Sequence, residues 1–188
     1  MSDQLQEFKS FVKETNGLIV WAVGAGVLGA VAAHFAGVAP PWPDAATPLT
    51  CAALFLVLMY VFLQHRGLNK ASAQRRFSRS AVVLVLCLLL YLLIYSLVVV
   101  RNPATTEHLV TGFYCTAEAR RIYKDCPFLT QEHLAQANYQ VHLLWTSWSH
   151  SVSRIVLFSL WLATFCLFMY SSAVFVIYTK GRRSFRRV

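Results

Sequence analysis

Cys115 and Cys126 bracket the charged segment CTAEARRIYKDC, set in a chain otherwise dominated by Leu, Val, Ala and Phe. Two thiols with ten residues between them can close a structural disulfide or cycle redox equivalents. A bridge over a loop of this size stabilises by roughly 3 kcal/mol in the chain-entropy picture. Redox cycling relies on a CxxC, where one thiol is acidified, and the chain has none. A structural Cys115–Cys126 bridge is therefore expected, in an oxidising compartment. Cys51, Cys87 and Cys166 fall inside apolar runs and read as small hydrophobes.

Histidine is the next residue type with chemistry to offer. Two imidazoles reach one zinc ion from a helix face at His-x-x-x-His spacing. His133, His142 and His150 are nine and eight residues apart, too far for one ion. His34 is the one ionisable side chain inside an apolar run, near its end. Alone, it reads as an interfacial hydrogen-bonding group, not as a step in a proton relay. No glycine-rich phosphate loop, nucleophile elbow or HExxH occurs. No catalytic residue, metal ligand or cofactor is assigned, and the chain is read as a non-enzyme.

Two arginine clusters remain. QHRGLNKASAQRRFSRS carries Arg66, Lys70, Arg75, Arg76 and Arg79, and TKGRRSFRRV carries Lys180, Arg182, Arg183, Arg186 and Arg187, both without an acid. Guanidinium groups grip phosphate and carboxylate oxygens two at a time. Anionic lipid headgroups are the first expected partner, an acidic cytosolic protein the second, and nucleic acid the third. The formal net charge of +9 fits all three.

The elements that must hold these residues are legible from composition. Hydrophobic residues make up 57% of the 188-residue chain and charged residues 13%, against about 25% charged in ordinary soluble domains. Crossing a bilayer takes about 20 apolar residues in a helix. Four stretches meet or approach that: Leu18–Val38, Leu49–Leu63 (extendable back to Ala45), Ala81–Val100 and Ile155–Tyr178, none containing Asp, Glu, Lys or Arg. A soluble bundle with four such runs would have almost no polar surface for water. The first run follows a charge-balanced segment, unlike a signal peptide, and is expected to stay uncleaved.

The fold class expected is all-α integral membrane, with four transmembrane helices. Basic residues stay on the cytoplasmic side. Of the 17 Lys and Arg, 12 lie in the N-terminal segment, the link between helices 2 and 3, and the C-terminal tail. Both termini are then cytoplasmic and the protein is multi-pass in the inner (plasma) membrane. The organisation is a cytoplasmic amphipathic segment 1–17, helices 1–3 within 18–100 with a basic link 64–80, an extracytoplasmic loop 101–154 pinned by the disulfide, helix 4 at 155–178, and a basic tail 179–188.

Segment 2–16 either lies on the inner surface or extends helix 1. Helix 1 carries rows of small residues, among them Gly26, Gly29, Ala30, Ala33 and Gly37. Such rows let helices approach closely in lipid, either within the monomer's own bundle or at a subunit contact or pore lining. In the loop, Thr116 is placed to cap a short helix over AEARRIYK, and Thr130 to cap one starting at Gln131. The stretch from Gln131 to Phe158 lacks Pro and Gly. Helix 4 is therefore expected to begin near Gln131 and run on through the membrane, a break around Ser147–Ser153 being the alternative.

In size, four-pass layout and basic inner tails, the whole chain resembles the small membrane subunits of bacterial antiviral systems, such as that of the Kiwa system, which pair with a cytosolic effector or perturb the membrane. The resemblance involves no diagnostic residues, so none is carried over. Tetraspanins share the large loop after helix 3, but their CCG is missing. The expected function is a homo-oligomeric subunit of a defence or stress system that recruits a cytosolic partner through its basic face and senses envelope perturbation. The alternative is a pore-forming effector that depolarises the membrane.

Overall fold

The computed structural model describes residues 16–64, 70–103 and 107–184. Its order is α1 (Asn16–Phe35), α2 (Ala46–Gln64), α3 (Lys70–Val98), β1 (Val99–Arg101), β2 (His108–Val110), α4 (Ala117–Ile122), α5 (Gln131–Gln136), α6 (Val141–Leu144) and α7 (Ser147–Ser184). The chain is mostly helical, and two stretches, Ala71–Val98 and Ser147–Val176, are long and apolar enough to cross a membrane. The expected amphipathic segment 2–16, together with Arg66, Arg186 and Arg187, lies outside the described residues.

α7 is the spine of the bundle. It packs most extensively on α3 and also on α2 and α1. Leu157 and Trp161 of α7 meet Ala30 of α1, Tyr91 of α3 and Val110 of β2 in one buried cluster. Nearer the other end, Ala173 and Val174 pack with Val61 of α2 and Ala73 of α3. Small residues allow these approaches. A Cβ on Gly26 would stand 3.2 Å from Leu54 Cδ1, and Ala30 is wholly buried. The apolar interior also contains paired polar groups, as burial requires. Trp161 Nε1 donates to Thr50 Oγ1 at 3.0 Å, Thr50 donates to the Ala46 carbonyl at 2.7 Å, and Ser171 donates to Ser80 at 2.8 Å.

α1 stops at a glycine cap. Gly37 has φ +69°, a conformation cheap only for glycine. Its N–H bonds to the His34 carbonyl, and the Val38 N–H reaches back to that of Ala33, the Schellman pattern. The hydroxyls of Tyr95 and Tyr91 then donate to the carbonyls of Gly37 and Val38. The i,i+4 tyrosines of α3 thus hold the exit of α1.

Element bounds differ from expectation in several places: α1 stops at Phe35, short of Val38, and α7 runs on to Ser184, into the basic tail. α3 begins at Lys70, inside the basic link, because KASAQRRFSRS contains no Gly or Pro to stop it. It ends at Val98, where Val99–Arg101 leave as a strand that pairs antiparallel with His108–Val110. The continuous helix from Gln131 is a correction: the chain breaks after Gln136. Asn138 and Tyr139 both take left-handed backbone, with φ 49° and 58°, and the Tyr139 N–H closes α5 on the Leu134 carbonyl. Trp145 is extended and pairs with Cys115 in an isolated antiparallel bridge. That pairing, with Trp145 only 1% exposed, is unavailable to a residue inside a helix. α7 starts two residues later, at Ser147, so Ser147–Ser153, the alternative place for a break, is helical as well.

Candidate functional site

Residues 99–103 and 107–146 form a small cap on the end of the bundle. The disulfide joins Cys115 to Cys126, with Cα atoms 6.4 Å apart. Thr116 caps α4, its side chain accepting from the Ala119 N–H at 3.2 Å, so the bridge spans this short helix. Around it Ala119, Leu134, Leu144 and Trp145 form a buried cluster, with Val100, Tyr123 and Leu129 against it. Arg120 lies 4.1 Å over the ring of Tyr114 and donates to the Cys115 carbonyl.

The cap is fastened to the start of α7. The Thr116 N–H bonds to the Leu144 carbonyl, and that of Thr146 to the Tyr114 carbonyl. The Ser149 hydroxyl, fully buried, reaches the same Tyr114 carbonyl at 3.1 Å. Gly112 makes the approach possible. A Cβ there would stand 2.8 Å from Trp145 Cβ and collide with Ser149 Oγ.

Beneath the cap is a pocket of about 390 Å³ bounded by Pro41, Trp42, His108, Gln140, His142, His150 and Arg154, with no carboxylate among the described residues of its lining. Four elements contribute: the exit loop of α1, β2, α6 with its preceding turn, and α7. His150 hydrogen-bonds the main chain at Val110, which ties the first turn of α7 to β2. Arg154 Nε is buried and has no hydrogen-bond partner among the described residues. The imidazoles form no metal-holding group among the described residues. A cationic pocket without carboxylates favours an anion.

This gathering of residues was not anticipated from the sequence. The His150–Arg154 spacing puts both on one helix face, a signal that was available. The contributions of His108 and His142 depend on how the cap folds. A second cavity, apolar and about 290 Å³, opens between α1, α3 and α7, with Gly29, Ala33, Leu88, Phe165 and Phe168 in its walls.

The other residues singled out in the sequence are spread through the bundle. Gly26 and Ala30 are buried in it, and Gly29, Ala33 and Gly37 are half-buried against it. His34 is exposed beside Phe35. Arg75, Arg76 and Arg79 are exposed on the first turns of α3. Lys70 lies on α3, and Lys180, Arg182 and Arg183 on α7, but their side chains are outside the described residues. Cys51, Cys87 and Cys166 are unpaired. The chain matches no known family, no characterised protein and no solved structure.

Proposed function

We propose that this is a four-pass inner-membrane anchor with no catalytic activity of its own. In this reading α1, α2, α3 and α7 all cross the bilayer, the cap faces outward, and the basic end holds a cytosolic partner. The carrying observation is the surface of α3. Val82, Val85, Leu86, Leu89, Leu93 and Leu97 are all exposed, a surface suited to lipid and costly in water. Exposed Arg75, Arg76 and Arg79 stand at one end of that belt, and the cap stands at the other. α1 and α2, at 20 and 19 residues, each rise about 30 Å, the thickness of a hydrocarbon core.

The anchoring role follows from what the two ends offer. The basic end presents guanidinium groups suited to lipid phosphates or acidic protein surfaces. The half-bundle packing of α1 leaves Leu28, Ala32 and Phe35 exposed on another face, available for contact with a second copy. We place the protein in a bacterial defence or stress system as an oligomeric subunit that recruits an effector.

Two measurements test this reading. Pull-down of an acidic cytosolic partner is expected from the intact protein, and its loss when Arg182, Arg183, Arg186 and Arg187 are changed to Ala. Liposomes holding the purified protein are expected to retain ions and dye. Leakage from those liposomes sinks the pure anchor and favours a pore-forming effector.

A further inference from the structure

The cationic pocket and the apolar cleft share one face of α7. Arg154 lines the pocket, and Trp161, Thr164 and Phe168 line the cleft. These residues are spaced by seven, three and four positions, the repeat of a single helical face. From Arg154 to Phe168 the helix rises about 21 Å. On the opposite wall, Val38 of the cleft and Pro41 of the pocket belong to the same exit loop of α1. The charged chamber and the apolar cleft therefore follow one another along a single face of α7, Arg154 and Trp161 being about 10 Å apart in helical rise.

Among the described residues the chamber has no counter-charge. Arg154 Nε is buried without a partner among the described residues, and no carboxylate among them lines the pocket. A buried N–H without an acceptor is unfavourable. A phosphate supplies the acceptors, and the fork of a guanidinium matches its oxygens. The imidazoles of His108 and His142 line the same space and supply further ring N–H donors. The cleft is almost wholly apolar, walled by leucine, phenylalanine and small residues, and suits a hydrocarbon chain, not a second polar group.

We propose that the pocket binds the phosphate of an anionic phospholipid headgroup against Arg154, and that the cleft takes an acyl chain of the same lipid. The site is new with respect to the basic end, which meets the opposite leaflet. It relies on the four-pass reading for its access to lipid.

The test uses the purified full-length protein and native mass spectrometry of retained lipid. Phosphatidylglycerol is expected to be retained about tenfold better than diacylglycerol of the same acyl chains, which lacks the phosphate, the effect of one lost charge-assisted contact of about 1.4 kcal/mol. Arg154→Gln should erase that preference, whereas Arg121→Gln, at an exposed position of α4 outside the pocket lining, should leave it unchanged. Arg154→Gln removes a partly buried charge and can disturb folding. His142→Gln, at an exposed position of α6, therefore provides a second test and should lower retention severalfold. Leu88→Trp, which fills the cleft from its exposed edge, should lower lipid retention without altering the weak binding of inorganic phosphate. Equal retention of both lipids, or wild-type retention by Arg154→Gln and His142→Gln together, overturns the proposal. Complete displacement of the lipid by millimolar inorganic phosphate overturns the lipid source and assigns the pocket to the free anion. Gln140→Cys, labelled in intact cells by a membrane-impermeant maleimide, reports the orientation separately. Labelling only in opened cells sinks the four-pass orientation and leaves the lipid measurements to judge the site.

Discussion

At the cap end of α7, the buried Ser149 hydroxyl and the Thr146 N–H both bond to Tyr114, and Trp145 is paired with a disulfide cysteine. Toward the basic end, small and β-branched residues from three helices pack together, and Arg75 and Arg79 project from α3. The first region is held by directional contacts between segments far apart in sequence. The second needs only helices, small residues at the crossings and charge on the surface. Geometry should therefore govern whatever the cap end does, and charge whatever the basic end does. Substitutions should separate the two accordingly.

The largest effect is expected where the cap meets the bundle. Trp145→Ala should destabilise by about 3–5 kcal/mol, the range for deleting a buried aromatic side chain, seen as a lower thermal midpoint in detergent. A variant as stable as the parent would mean the cap is not seated by Trp145. Cys115→Ser, or reduction of the bridge, should cost about 2–4 kcal/mol and expose residues 116–125 to protease while the helices stay intact. Simultaneous loss of helix content would show that cap and bundle unfold together.

A smaller change is expected inside the bundle. Thr50→Val leaves Trp161 Nε1 without its acceptor and should cost about 1–3 kcal/mol, accompanied by a shift in tryptophan emission. The smallest is expected at the basic end. Arg75→Gln with Arg79→Gln should move stability by no more than about 0.5 kcal/mol. The same pair should weaken binding to anionic vesicles by about 1 kcal/mol per charge. If instead this pair destabilised the fold as much as Trp145→Ala, the contrast between the two ends would fail.

Much of this was legible along the chain. Uninterrupted apolar runs without charge specify helices irrespective of their neighbours. The ten-residue spacing of Cys115 and Cys126 and the cap at Thr116 are local, so the bridge and the short helix between its cysteines follow from residues close in sequence. Tyr91 and Tyr95 showed their i,i+4 relation, although their acceptors on Val38 and Gly37 lie 53 and 58 residues away. The break between α5 and α7 was harder to foresee. Its stretch has no Gly or Pro, and the stop comes from Asn138 in the left-handed C′ place of a Schellman motif, the Asn138 and Tyr139 N–H groups bonding to the Ala135 and Leu134 carbonyls, a place that asparagine fills less often than glycine. Likewise, α3 reached back through Arg79, Arg76 and Arg75 because nothing from Lys70 to Ser80 opposed a helix.

Composition and spacing thus account for the long helices, the disulfide and the accumulation of positive charge, because hydrophobicity, chain entropy and charge act locally or in sum. The seating of Trp145 against Cys115, the need for glycine at Gly112, and the meeting of His108, His142, His150 and Arg154 around one pocket arise only when the chain folds back on itself. Each depends on contacts between residues from different elements, and no local pattern encodes which distant partner will stand a few ångströms away.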